Sequence, residues 1–252
     1  MATLHYQLAG PDDAPVVVLS NSLGTTLEMW EPQMQALTQQ FRVLRYDARG
    51  HGRSALLPPP YSIDDLGNDV VVLLDKLGIE RADFVGISMG GLIGQWLAIH
   101  KPERIGKLIV SNTAARIGTA DGWRARAELV RAQGLAEVAG SSPARWFTPR
   151  FAAEQVARVE PLVERLRTLS PEGYAACCDV LGATDLRDAI GKITAPTLVI
   201  AGEHDPVTTV ADARFIVRQV AGATLATLPA SHLSNIEVPE AFNEAVLSFL
   251  AG

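Results

Sequence analysis

One stretch constrains the fold more than any other: Gly86-Ile87-Ser88-Met89-Gly90, placed where an apolar run ends and a helical pattern begins. Residues 83–87 read as a strand that runs directly into Ser88, and residues 89–99 as a helix stopped by Pro102. A chain that passes from strand to helix at one residue folds back on itself. Side chains two positions to either side would then clash, and glycines at 86 and 90 remove that clash. A serine presented on so sharp a turn is the arrangement of a catalytic nucleophile.

Short apolar runs on either side repeat a strand–helix rhythm. Residues 4–8 alternate as a half-exposed strand, and 16–19 are a β-branched run suited to burial on both faces. A helix fits 30–37 with Pro32 in its first turn, and a strand fits 41–46. Ser62 can cap the next helix, with Asp64 and Asp65 favourable to its dipole, Leu66, Val70, Leu73, Leu74 and Leu77 on one face, and Gly78 at its end. Strands follow at 107–110, 196–201 and 224–228, and helices at 210–220 and 239–250. The alternation predicts a mostly parallel sheet covered by helices on both faces. Residues 116–193 break the rhythm. They show no convincing strand, and stops are expected at Gly134, Pro143, Pro149, Pro161 and Pro171. The expected organisation is a core of residues 1–115 and 194–252, with 116–193 as a helical lid above the carboxyl ends of the strands.

A serine hydroxyl needs a base. Of five histidines, His5 lies in the first strand, His100 ends the helix after Ser88, His51 sits in the Gly-rich loop 49–54, and His204 comes early among the last loops. His232 follows the last strand in a polar loop, where the chain order serine, acid, histidine of α/β-hydrolases puts the base. The acid is expected after the strand at 196–201, in Gly202-Glu203-His204-Asp205-Pro206; Asp205 fits best and Glu203 is a distant second. The strand before it ends in Ser111-Asn112-Thr113, with no carboxylate, and Asp179, Asp185 and Asp188 read as solvated lid residues. An oxyanion needs two fixed donors. One is the backbone N–H of Met89. The other is placed in the loop 20–24, at Leu23 N–H, with Asn21 and Ser22 shaping the loop or touching substrate.

Beyond these shared motifs, Ser20-Asn21-Ser22-Leu23-Gly24-Thr25-Thr26, residues 112–119 (Asn-Thr-Ala-Ala-Arg-Ile-Gly-Thr), Arg145-Trp146-Phe147-Thr148, residues 173–178 (Gly-Tyr-Ala-Ala-Cys-Cys) and Ser231-His232-Leu233-Ser234-Asn235-Ile236-Glu237 resemble the 3-oxoadipate enol-lactonases, over nearly the whole chain. The resemblance implies an α/β-hydrolase fold and a five-membered enol-lactone substrate bearing a carboxymethyl arm. It implies ring opening through an acyl-enzyme in the breakdown of aromatic acids. The arm needs a cation or several donors. Residues 116–192 hold 11 Lys and Arg against 10 Asp and Glu, while the whole chain carries −6. Arg145 with Trp146 is the sharpest candidate for substrate contact, against the reading that Arg145 is surface and Trp146 packs the lid. Trp123 is a second candidate, Trp30 could reach the pocket from beside loop 20–24, and Trp96 reads as core.

Other classes remain in view. The same groups suit a carboxylesterase, a cofactor-free perhydrolase or a C–C bond hydrolase. A non-catalytic small-molecule receptor on this fold could retain them too. Dehalogenases and epoxide hydrolases use a carboxylate where this chain has Ser88. No phosphate loop and no Cys/His cluster at metal spacing occurs, so no cofactor or metal is expected. The acidic balance argues against nucleic acid, and no apolar run reaches the ~20 residues of a membrane helix. The first residues lack a secretory pattern, and adjacent Cys177 and Cys178 read as reduced thiols, together implying a cytoplasmic protein.

Overall fold

The structure is a computed structural model that describes residues 3–252. Met1 and Ala2, which open the start without a secretory pattern, lie outside the described residues. Seven strands form one sheet: β1 (Tyr6–Ala9), β2 (Val16–Ser20), β3 (Arg42–Tyr46), β4 (Ala82–Ile87), β5 (Ile105–Ser111), β6 (Thr197–Gly202) and β7 (Thr224–Leu228). Their order is β1-β3-β2-β4-β5-β6-β7, and only the β1–β3 pair is antiparallel. Val17, Val18 and Leu19 of β2 and Phe84, Val85 and Ile87 of β4 are buried, as strands covered on both faces require. Chain order reverses between β2 and β4. The loops that leave their carboxyl ends, one after Ser20 and one at Ser88, therefore share the crevice where open α/β sheets bind ligands.

The helices of the first half are α1 (Glu31–Leu37), α2 (Ile63–Lys76) and α3 (Met89–His100). Ser62 and Asp65 close a reciprocal capping box on α2, which buries Leu66, Val70, Leu73 and Leu74. Gly78, at φ +67°, follows the end of that helix.

Between β5 and β6 the chain forms five α-helices: α4 (Ala120–Gln133), α5 (Ala136–Trp146), α6 (Pro149–Glu154), α7 (Val156–Thr168) and α8 (Pro171–Ala183). Only some of the expected stops act as stops. Gly134 ends α4 at φ +75°. Pro149 and Pro171 instead begin helices, behind the capping side chains Thr148 and Ser170. Pro143 and Pro161 lie inside α5 and α7. In α5, Ser142 Oγ donates 2.7 Å to Ala139 O, the carbonyl that a proline at 143 cannot serve. In α7, both Pro161 and Ala157, whose carbonyl loses its partner, are exposed to water.

These helices sit directly on the loops of the sheet. Gly50 (φ +72°) and Gly173 of α8 approach so closely that a Cβ at 173 would lie 2.2 Å from Gly50 O. Arg165 of α7 reaches Glu28 at 2.9 Å. Cys177 and Cys178 are both buried and free of a disulfide, and burial pushes the Cys177 thiol up to about 12. The chain closes with α9 (Val210–Gln219), the short α10 (Ser234–Glu237) and α11 (Pro239–Ala251). No helix among the described residues is long and apolar enough to cross a membrane.

Candidate active site

Ser88 takes φ +56° and ψ −115°, a conformation that costs a non-glycine residue roughly 1–3 kcal/mol. The surroundings hold it there. Ser88 N donates to Ser111 O at 3.0 Å, and Thr113 Oγ1 donates to Ser88 O at 2.8 Å. The flanking glycines meet the demand read from the sequence: a Cβ at Gly86 would lie 2.2 Å from Gly90 O, and one at Gly90 2.2 Å from Ser20 O. Met89 opens α3, so its N–H lies at a helix start with no acceptor one turn back.

The loop after β2 carries the other expected donor. Its neighbours are spoken for: Gly24 N donates to His51 Nε2 at 3.0 Å, and Thr25 N to Ser22 O at 3.2 Å. No hydrogen bond is made by Leu23 N–H among the described residues. Full burial pushes His51 down to about 4, so its ring is neutral at pH 7 and its Nε2 stays an acceptor for the loop. His51 thus holds loop geometry.

Asn21 does not touch the cavity. Its Nδ2 donates to Tyr46 O, its Oδ1 accepts from Trp30 Nε1, each at 2.8 Å, and its carbonyl accepts from Gly90 N at 3.0 Å. The same bond holds Trp30 wholly in the core. Asn21 as a substrate contact and Trp30 as a pocket wall are therefore both corrected. A buried amide spends its valences on its neighbours, and here it ties the loop to β3 and Trp30 while the main-chain carbonyl ties it to α3.

Asp205 and His232 meet across the loops after β6 and β7. Nδ1 of His232 lies 2.8 Å from Asp205 Oδ2, and both residues are buried. Oδ1 of Asp205 accepts from the N–H groups of Val207 and Thr208, at 2.7 and 3.0 Å. Oδ2 also accepts from Thr208 Oγ1 and Asn112 Nδ2, at 2.8 and 3.1 Å. Burial by itself raises this carboxyl. The charge and bond of His232, with the bonds from Thr208 and Asn112, outweigh burial and hold it below the usual carboxylate range. With Nδ1 committed to Asp205, Nε2 is the ring nitrogen left for proton transfer. Glu203 and His204 are exposed on the same loop, as expected of bystanders.

Ser88 and His232 line one cavity of about 390 Å³, together with Ser22, Leu23, Trp123 and Trp146. Arg145, half-buried, also lines it. Its Nη1 donates to Ser141 Oγ at 2.7 Å and its Nη2 to Val138 O at 2.9 Å. Arg126 and Tyr174 are among the further lining residues that the sequence reading did not single out as site residues. The Arg126 guanidinium lies 5.1 Å from the Trp123 ring centroid. Its spacing of three from Trp123 on one helix was the available signal. Neither arginine has a carboxylate within 4.0 Å among the described residues. Burial, and then the Arg126 charge, lower the pKa of Arg145. No group of three or more His, Cys, Asp or Glu among the described residues is placed to hold a metal ion.

Glu237 was also missed. Its carboxylate accepts from Ser231 N at 2.8 Å, beside His232, and from Thr148 N at 3.2 Å and Thr148 Oγ1, at the start of α6. Leu233 N donates to Trp146 O at 2.9 Å. The histidine loop and the cavity wall at Trp146 are thereby built against each other.

A strained serine at a strand–helix turn, a buried Asp–His pair and a shared cavity, on a sheet of this order, define a class. The chain belongs to the alpha/beta hydrolase fold family, whose pattern matches residues 15–239. Within that family it is 52% identical to 3-oxoadipate enol-lactonase 2 of Acinetobacter baylyi, over 96% of this chain and 91% of that protein. The crystal structure of the enol-lactonase from Burkholderia xenovorans LB400 superposes with a TM-score of 0.98 at 44% identity, covering 99% of this chain and 96% of that one. A more distant relative, a putative carbamate hydrolase RutD of Caulobacter sp. strain K31, is 35% identical over 98% of this chain and 95% of its own length.

Proposed function

We propose that this protein hydrolyses 3-oxoadipate enol-lactone to 3-oxoadipate, with Ser88 as nucleophile, His232 as general base and Asp205 as its orienting acid. One observation carries the choice of substrate class. The cavity that holds Ser88 and His232 also holds two arginines without an acidic partner, in a chain that is 52% identical to an enol-lactonase. Both guanidiniums are half-buried; a partly desolvated cation without a counter-ion is costly, and a bound anion relieves that cost.

In this reading Ser88 Oγ attacks the lactone carbonyl as its proton passes to His232 Nε2. The oxyanion is met by the N–H groups of Leu23 and Met89. Collapse breaks the ring C–O bond and expels an enolate, a good leaving group that stays tethered to the acyl-enzyme. The imidazolium of His232 returns the proton to it. His232 then activates water, which cleaves the acyl bond and frees the acid; the enol tautomerises to the ketone. Residues 116–193 form the lid over this chemistry, and Arg126, Arg145, Trp123, Trp146 and Ser22 supply the substrate contacts. The reaction so written uses only these groups and water, with no cofactor.

Arg126→Gln and Arg145→Gln test the substrate class. A charged hydrogen bond is worth ~1.5–3 kcal/mol, so each change is expected to lower kcat/KM for the lactone about 10- to 100-fold. Hydrolysis of a neutral p-nitrophenyl ester should stay within about threefold, since it offers the arginines no charge. Equal losses on both substrates, or none on either, would remove the anionic-substrate reading.

A further inference from the structure

Asn112 directly follows β5, where the chain leaves the sheet at φ +46°. A non-glycine side chain in that region is uncommon and is retained where the surroundings over-determine it. Here the determinants are four hydrogen bonds that use both sides of one amide. Nδ2 donates to Asp205 Oδ2 and to Ser231 O, both at 3.1 Å. Oδ1 accepts from Ser111 Oγ at 2.8 Å and from Ser234 Oγ at 2.6 Å. The residue is 1% exposed. Its backbone N–H donates to Ile200 O at 2.8 Å, fixing it to β6 as well.

These partners are not a random set. Asp205 is the acid; Ser231 and Ser234 stand one residue before and two after His232. One amide therefore ties the carboxylate to both flanks of the histidine loop, and it touches the same oxygen, Oδ2, that His232 Nδ1 faces. Gly202 leaves room for it: a Cβ there would lie 2.9 Å from Asn112 Nδ2 and 2.5 Å from Ser231 O.

We propose that Asn112 is a positioning residue for catalysis, setting the distance and orientation of His232 relative to Asp205 without touching substrate. The proposal rests on the Ser88–His232–Asp205 reading but not on the lactone, so an activated p-nitrophenyl ester is the substrate for its test. Asn112→Ala removes all four bonds. It should lower kcat about 10- to 100-fold while KM changes less than about threefold, because the cavity wall is untouched. The His232 Nδ1–H proton, buried against Asp205, should shift or broaden in the low-field proton spectrum.

Asn112→Asp keeps the shape and serves if the alanine variant does not fold. The charged or titratable groups that face this position are Asp205 and His232; Glu237 is one residue removed, through Ser231 N. Ser111, Ser231, Ser234 and Thr208 carry no charge. If the new carboxyl keeps a proton, it has one hydrogen for the two acceptors, Asp205 and Ser231 O, that the amide serves. If it ionises, the added negative charge favours protonated His232. The base works only when neutral, so the acid limb of kcat/KM then moves to higher pH. Both states lower turnover at pH 7 and move the Nδ1–H signal. A folded variant with kcat within about twofold of the parent would overturn the proposal. So would a variant that loses activity with that signal unmoved. Ester turnover that survives Ser88→Ala would instead condemn the reading beneath it.

Discussion

Ser88→Ala is expected to lower kcat about 10⁶-fold, the scale seen when the nucleophile of such a unit is removed, while substrate still binds. The size follows from the site. Among the described residues Ser88 is the one hydroxyl-bearing residue at positive φ, between a helix start and a cavity that also contains His232. The other hydroxyls that line the cavity, on Ser22, Thr119 and Tyr174, do not stand on a strained strand–helix turn and should not replace it. The fold should survive, because alanine can keep the backbone bonds to Ser111 and Thr113. A fluorophosphonate should label the parent once, at Ser88, and leave the alanine variant untouched. A non-catalytic receptor would show no turnover and no burst with an activated ester. Full activity in a clean preparation of the variant would end the assignment.

Asp205→Asn should cost about 10⁴-fold in kcat through the wrong histidine tautomer. The hydrogen bonds decide which way the new amide points. The Oδ1 site accepts two backbone N–H groups, from Val207 and Thr208, which cannot reverse, whereas at Oδ2 the Thr208 hydroxyl can rotate and only Asn112 Nδ2 is then opposed, so the amide oxygen takes the Oδ1 place. The NH₂ group then falls on the Oδ2 site, facing His232 Nδ1. A donor opposite Nδ1 makes that nitrogen an acceptor and moves the ring proton to Nε2. Nε2 can then no longer take the proton of Ser88. Loss of activity should appear in kcat with little change in KM. A variant within tenfold of the parent would show that Asp205 does not set the tautomer, and would return attention to other carboxylates near the loop.

The parts of this account that were legible in the sequence depend on short-range constraint. Two glycines around Ser88 are demanded by a backbone that turns on itself, and Gly86 and Gly90 are indeed in contact distance of main chain. The inner strands are legible because burial on both faces leaves only runs such as Val16-Val17-Val18-Leu19. Asp205 and His232 follow from chain order and from strands whose ends can be counted. What was not legible depends on partners far along the chain. Asn112 looks like any polar strand end until Asp205, 93 positions later, comes within 3.1 Å. Pro143 reads as a helix stop because nothing in the local pattern says that Ser142 will cover the carbonyl it abandons. Asn21 sits two residues before Leu23 in the same loop, yet Tyr46 and Trp30 turn its side chain away from the cavity. Arg126 and Glu237 were passed over for the same reason. A charge on a helix reads as a solvated face, and only the tertiary packing puts one into the cavity and the other between two loops.

The measurement that bears most directly on the central claim is hydrolysis of freshly generated 3-oxoadipate enol-lactone, followed by loss of its ultraviolet absorbance, beside a neutral p-nitrophenyl ester. The account predicts a kcat/KM for the lactone higher by about two orders of magnitude or more, the contribution expected of charged contacts made by Arg126 and Arg145. Turnover of the neutral ester alone would contradict it: the Ser88–His232–Asp205 chemistry would stand, and the cavity would be that of an esterase.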